Sequence, residues 1–114
     1  MPYLTIQTNI KVDPNTTTDL LGKISTSLAQ MLGKPESYVM ISLHTDVAMM
    51  FAGTTAPLAY LELKSLGLPE EQTAVFSQQI CKLMEETLGI EKTRVYIEFS
   101  SPARHMFGWS GRTF

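Results

Sequence analysis

The 114-residue chain predicts an α+β fold in which two β-α-β repeats form one four-stranded mixed sheet with both helices on one face. Three observations carry this. The chain repeats itself: Gly33-Lys34-Pro35-Glu36-Ser37-Tyr38-Val39-Met40-Ile41 aligns with Gly89-Ile90-Glu91-Lys92-Thr93-Arg94-Val95-Tyr96-Ile97, and Pro2 to Thr8 aligns with Pro57 to Lys64. Each half holds an apolar stripe at helical spacing that ends on a glycine. Short runs with strand character flank each stripe. A β-α-β unit pairs its strands in parallel through a right-handed crossover, so joining two such units gives a mixed sheet. The length corresponds to a single domain, residues 1–114.

The elements follow in order. From Tyr3 to Thr8, Leu4 and Ile6 alternate with Thr5 and Gln7, the period of a half-buried strand. Asp13-Pro14-Asn15-Thr16 is turn and cap chemistry. Asn15-Thr16-Thr17 also fits the N-glycosylation pattern, but it reads here as a helix-capping turn. Leu20, Leu21, Ile24, Leu28, Met31 and Leu32 share one helical face, and Gly33 stops the helix. Val39 to His44 is the second strand. Ala59, Leu61 and Leu63 alternate as the third. Pro69, with Glu70 and Glu71 behind it, suits the positive end of a second helix. Val75, Phe76, Ile80, Leu83, Met84 and Leu88 form its stripe, closed by Gly89, and Val95 to Phe99 is the last long strand. Gly108 and Gly111 predict a terminal hairpin.

Charged residues make up 18% of the chain, below the usual ~25%, and mean hydropathy is near zero. A domain of this size buries only about 65% of its unfolded surface. Apolar residues on the uncovered sheet face would then need a symmetric oligomer to cover them. A net charge of −2 with no Lys/Arg cluster argues against nucleic acid and acidic membranes as partners. Cys81 is the only cysteine, which fits a reducing, cytoplasmic setting. No signal segment and no membrane-length apolar run is expected.

Pro2 is the residue with the most chemistry in it. Removing Met1 would leave a secondary amine, and α-amino groups titrate near 8 (about 7.7–8.0). An apolar cleft beside a cation lowers that value further, giving a general base poised near neutrality.

Met1-Pro2, Gly33-Lys34-Pro35, Ala52-Gly53-Thr54-Thr55, Arg94-Val95-Tyr96-Ile97 and Gly108-Trp109-Ser110-Gly111-Arg112-Thr113-Phe114, in this order and spacing, resemble the macrophage migration inhibitory factor family of the tautomerase superfamily. The resemblance spans essentially the whole chain. It implies a homotrimer with active sites between neighbouring subunits. The implied activity is cofactor-free keto–enol tautomerisation of small aromatic α-keto acids, of the phenylpyruvate or dopachrome type. On the same basis Pro2 is the catalytic acid/base and Lys34 binds the substrate carboxylate. Ser65 and Leu66 line the site. Tyr96 and Glu98 reach in from the adjacent subunit, and Tyr38, Phe107, Trp109 and Phe114 form aromatic walls.

Two departures from the family pattern stand out. Leu58-Ala59-Tyr60-Leu61 occupies the place of a Cys-x-x-Cys segment, so no thiol oxidoreductase activity is expected. Glu98 stands where many members have Asn, and it is expected to pair with Lys34 if both face the pocket.

Taken without the resemblance, several of these residues have plainer roles. Lys34 suits a helix C-terminus, where a cation stabilises the last carbonyls. Tyr96, Phe99, Phe107 and Trp109 read as core. Cys81, beside Ile80, reads as packing. His44 and His105 lack metal-ligand spacing, and no metal is expected. Gly108-Trp109-Ser110-Gly111 is not a nucleophile elbow, which needs a glycine two residues to either side of the serine. The alternative function is a cytokine-like protein ligand, exported without a signal peptide and acting on a protein receptor, with a vestigial tautomerase site. Hydration or dehalogenation of unsaturated acids on the same proline usually calls for extra arginines in the pocket. Arg94, Arg104 and Arg112 are the only arginines, and none occupies the Lys34 or Pro2 position.

Overall fold

The structure, a computed structural model, describes residues 1–114. Its elements are β1 (Tyr3–Thr8), α1 (Thr17–Leu32), β2 (Met40–His44), β3 (Ala59–Lys64), α2 (Thr73–Leu88), β4 (Val95–Ser100), β5 (Gly108–Trp109) and β6 (Arg112–Thr113). The main sheet has the order β2-β1-β3-β4. β1 pairs parallel with β2 and β3 parallel with β4, while the central pair β1/β3 is antiparallel. This is the predicted mixed sheet, with one parallel pair per repeat. The terminal hairpin is also present: β5 and β6 pair antiparallel, Gly108 opposite Thr113 and Trp109 opposite Arg112.

Alternation along the strands decides which face the helices cover. Leu4, Ile6, Ala59, Leu61 and Leu63 point to one side and pack with Ile24 and Leu28 of α1 and Phe76, Ile80, Leu83 and Met84 of α2. Val95, Ile97 and Phe99 of β4 and Ile41 and Leu43 of β2 flank this core half-buried. Each fully buried aliphatic side chain contributes about 1.5–3 kcal/mol relative to exposure. Thr8, the one polar member of the β1 inner row, is buried and satisfied: its hydroxyl donates to Leu58 O at 2.7 Å and accepts from Ile10 N at 3.2 Å.

Both helices stop as expected. Gly33 (φ 62°) and Gly89 (φ 68°) take the left-handed conformation that lets their own and the following N–H turn back onto orphan carbonyls of the last turn. Of the helix starts, only the second differs from expectation. The expected turn before α1 is built on Asp13 and delivers Thr16 to the cap position. The Asp13 carboxylate accepts from Asn15 N (2.9 Å), and its carbonyl accepts from Thr16 N (3.0 Å) and from the Thr16 and Thr17 hydroxyls (3.0 and 3.1 Å). After Pro69, Glu70–Gln72 forms a tight 3-10 turn, and the α-helix begins only at Thr73.

The uncovered sheet face corrects one premise of the sequence argument. It carries Tyr3, Thr5, Gln7, Ser42, His44, Tyr60, Glu62, Lys64, Tyr96, Glu98 and Ser100, and among the strand residues only Met40 is aliphatic. The exposed apolar surplus lies largely elsewhere. Met50 is 66% and Met106 73% exposed, both in connections. No helix is long and apolar enough to cross a membrane.

Candidate active site

Pro2 precedes β1 and continues its inner row, with its side chain fully buried. Its carbonyl accepts from Met40 N at 3.0 Å, which ties the start of β1 to the start of β2. On the other side Tyr3 pairs with Lys64, so one further step of that register sets Pro2 beside Ser65. Ser65 and Leu66 are both buried. Ser65 N donates to Ser100 O (3.0 Å), but the Ser65 hydroxyl has no hydrogen-bond partner. A buried unpartnered hydroxyl costs about 1–3 kcal/mol, which makes this position unusual within the core.

In this chain Met1 acylates the Pro2 nitrogen, so the free amine sits one residue outboard of the proline. That amine is held below the usual α-amino range by burial first, then by the positive charges of Lys34 and Arg104. Lys34 arrives there because it follows the α1 stop: its N–H donates to Ala29 O at 3.0 Å. Arg104 was not among the residues picked out for this site from the sequence. It lies near the opposite end of the chain, in the 3-10 turn Arg104–Met106 that leads into β5. An arginine therefore does act at the N-terminal end, although none occupies the Lys34 or Pro2 position in sequence.

The aromatic residues come together from two distant segments. Tyr38, two residues before β2, meets Trp109 edge-on at 5.7 Å between ring centroids. Trp109 stacks on Phe114 at 5.9 Å, and Phe114 lies 6.1 Å from Phe107, whose carbonyl accepts from Phe114 N (3.2 Å). Arg112 covers Trp109, with Cζ 5.3 Å from its ring. Offset and edge-to-face aromatic pairs are each worth about 0.5–1.5 kcal/mol beyond area burial, enough to hold a short tail in place. Of the four aromatics, Tyr38 and Trp109 are exposed, so they wall a surface rather than fill a core. Phe107 and Gly108 also border a hollow of about 330 Å³ together with Lys64, the residue paired with Tyr3.

Tyr96 and Glu98 lie elsewhere. Both are on β4, facing the uncovered side, with Tyr96 opposite Tyr60 and Glu98 opposite Glu62. Through β3, Tyr96 is level with Gln7, about 17 Å along the strands from Pro2 at the usual rise per residue. Glu98 is level with Thr5, about 10 Å along the strands from Pro2, and both residues are on the sheet face opposite the inner row that Pro2 continues. Glu98 does not meet Lys34 within the chain: its Oε2 accepts from the Tyr60 hydroxyl at 2.8 Å, which pushes the Tyr60 phenol up to about 12.

Pro2 lines none of the larger hollows, although one of about 520 Å³ is bordered by Glu98 and Ser100. A second, of about 540 Å³, sits at the start of α1 beside Lys11 and Lys23, and a third, of about 570 Å³, flanks α2 beside Cys81. Burial pushes the Cys81 thiol up, against smaller opposing effects from Ser77 and Lys92, so it is a poor nucleophile. No group of three or more His, Cys, Asp and Glu side chains is arranged to hold a metal ion.

The comparisons agree with this architecture. The family model for macrophage migration inhibitory factor (MIF) matches residues 1–114. A macrophage migration inhibitory factor homolog of Brugia malayi is 39% identical, covering 100% of this chain and 99% of its own length. One from Trichinella spiralis is 35% identical, covering 100% of both. Among solved structures, a homologue from Prochlorococcus marinus superposes with a TM-score of 0.89 at 40% identity, over 98% of each chain. The Trichinella spiralis structure gives 0.90 at 34% identity, over 98% of this chain and 99% of that one. Fold and matches together define a protein of the tautomerase-superfamily kind. The chain belongs to the macrophage migration inhibitory factor family.

Proposed function

We propose that this protein is a cofactor-free keto–enol tautomerase of small aromatic α-keto acids such as phenylpyruvate, with Pro2 as its acid/base once Met1 is removed. In this reading the neutral amine removes a proton from the carbon next to the keto group. The C–H electron pair becomes the C=C bond of the enolate, and the Pro2 ammonium gives its proton up, directly or through water, to the keto oxygen, which yields the enol and restores the neutral amine. Lys34, assisted by Arg104, attracts the substrate carboxylate and disfavours a second positive charge on the amine. Ser65 and Leu66 form the floor. Tyr38, Phe107, Trp109 and Phe114 supply dry walls that suit an aryl group.

Support comes from one observation above all. The buried Pro2, two cations acting on the N-terminal amine and a four-ring aromatic cluster gather at one end of the sheet. The placement of Tyr96 and Glu98 on the opposite sheet face supports sites shared between subunits, in this reading of a homotrimer, with these two residues entering from the neighbouring subunit. A site completed only on assembly is also consistent with the modest hollow found beside Phe107 in one protomer.

The reading is tested by intact mass together with phenylpyruvate turnover. Protein that has lost Met1 should tautomerise phenylpyruvate, and protein retaining Met1 should be nearly inert, because its Pro2 nitrogen is a tertiary amide without basicity. Equal activity in the two forms removes Pro2 from the mechanism.

A further inference from the structure

Arg94 belongs to the repeat and to the Arg-Val-Tyr-Ile motif, yet the proposed chemistry gives it no role. Its side chain is among the most engaged in the molecule. Nε donates to Pro57 O (3.0 Å), and Nη2 lies within hydrogen-bonding distance of three further carbonyls, Phe51 O (3.1 Å), Ala56 O (3.1 Å) and Thr54 O (3.2 Å). Four carbonyls of one turn thus converge on one guanidinium. The Nε–H and the two Nη2 hydrogens are shared among the four, held in one fixed plane that an ammonium of similar charge lacks.

The turn needs this help. Its own ladder is a single bridge between Phe51 and Thr54, closed by two hydrogen bonds of 3.0 and 3.1 Å. Ala52 and Gly53 at its tip both have positive φ (52° and 74°), and for alanine this is a sparsely populated conformation. The strained tip on a two-bond bridge is held from outside by Arg94 and, at Thr55 O and Leu58 N, by the Asn9 amide (2.8 and 3.0 Å).

What the clamp controls is Phe51. The Arg94 Cζ lies 5.3 Å from the Phe51 ring, which in turn meets Tyr96 edge-on at 4.8 Å. Tyr96 is 63% exposed on an open sheet face, with Phe51 as its aromatic neighbour. Tyr60 lies opposite it on β3, and the Phe51 ring is the contact on its other flank that helps set its direction.

We propose that Arg94 is a positioning residue for Tyr96. It clamps the Phe51–Pro57 turn so that the Phe51 ring fixes the direction in which the Tyr96 phenol is presented to the neighbouring subunit's site. The inference rests on the tautomerase reading and its shared site. Arg94 itself does not touch substrate, and it acts through Phe51 and Tyr96.

The test is a double-mutant cycle on the Met1-free protein with phenylpyruvate, using Arg94→Gln and Arg94→Lys, each alone and combined with Tyr96→Phe. Phe51→Leu serves as a second route to the same ring, in case an Arg94 variant fails to assemble. Fluorotyrosine labelling gives a ¹⁹F resonance for each of the four tyrosines, with Tyr96 assigned by its loss in Tyr96→Phe. Arg94→Gln, Arg94→Lys and Phe51→Leu should each move the Tyr96 resonance and leave Tyr3 and Tyr38 unchanged. KM should rise several-fold with a smaller change in kcat. In the Tyr96→Phe background, which lacks the hydroxyl being aimed, the same changes should have little further effect. A Tyr96 resonance unmoved by all three changes, or losses that simply multiply in the double variants, overturns the positioning role. An inactive wild-type protein lacking Met1 overturns the tautomerase reading instead, and it is recognised before any variant is made.

Discussion

Lys34 shows how one position serves two purposes. Its backbone N–H closes the last turn of α1 on Ala29 O, and its ammonium bears on the N-terminal amine. The amine is lowered by burial first, with Lys34 and Arg104 adding like-charge repulsion. A Pro2 amine freed by loss of Met1 would lie at the same end of the sheet, within reach of the same two cations. All three effects disfavour the ammonium form, so the base stays neutral to lower pH. On this account kcat/KM for phenylpyruvate falls as pH drops through the Pro2 pKa, with a midpoint below the ordinary value of about 7.7. Lys34→Ala and Arg104→Ala each remove a repelling charge and should each move that midpoint upward. A pH–rate profile that stays put in both variants would detach these cations from the amine.

The repeat is most visible at the scale of elements, and so is the limit of what sequence shows. Gly33 and Gly89 occupy equivalent positions after equivalent helices, and each is followed by a short turn, a 3-10 turn and a strand. A Cβ built on Gly89 would meet nothing within 4 Å, so Gly89→Ala carries only the cost of the left-handed backbone. That cost is about 1–2 kcal/mol, which should appear as a lower denaturant midpoint with an unchanged slope. A midpoint unchanged by the substitution means that the helix end has relaxed to another cap. Strands, helix stops and the final hairpin were legible because each rests on local pattern: alternation in Leu4 and Ile6, a stripe in Ile80 and Met84, glycines at the ends. The contacts that cross the chain were not. Nothing local marks Arg104 as a neighbour of the N-terminus, Tyr60 as the partner of Glu98, or Arg94 as the holder of the Phe51 turn, because each depends on the β3/β4 register or on a loop's return path. The aromatic residues Tyr38, Phe107, Trp109 and Phe114 are picked out through family resemblance; without it Tyr96, Phe107 and Trp109 read as core, where the structure does not put them.

For the whole molecule, the arrangement of the sheet separates the two halves of the proposed site. Pro2 lies at the end of the sheet where β1 begins, and Tyr96 is about 17 Å away along the strands, so the proposed site, if it includes both, draws on at least two copies of the chain. A closed ring of three copies gives each Pro2 one neighbouring Tyr96 and leaves none unmatched. Subunit complementation tests this central claim directly. Pro2→Gly lacks the catalytic ring and Tyr96→Ala lacks the partner phenol, and each protein alone should show at least tenfold lower phenylpyruvate turnover. When equal amounts are unfolded, mixed and refolded, random assembly of trimers gives about a quarter of the sites an intact Pro2 beside an intact Tyr96. The account predicts that the mixture recovers about a quarter of wild-type activity, well above either parent. A mixture no more active than the average of its parents contradicts a site shared between subunits.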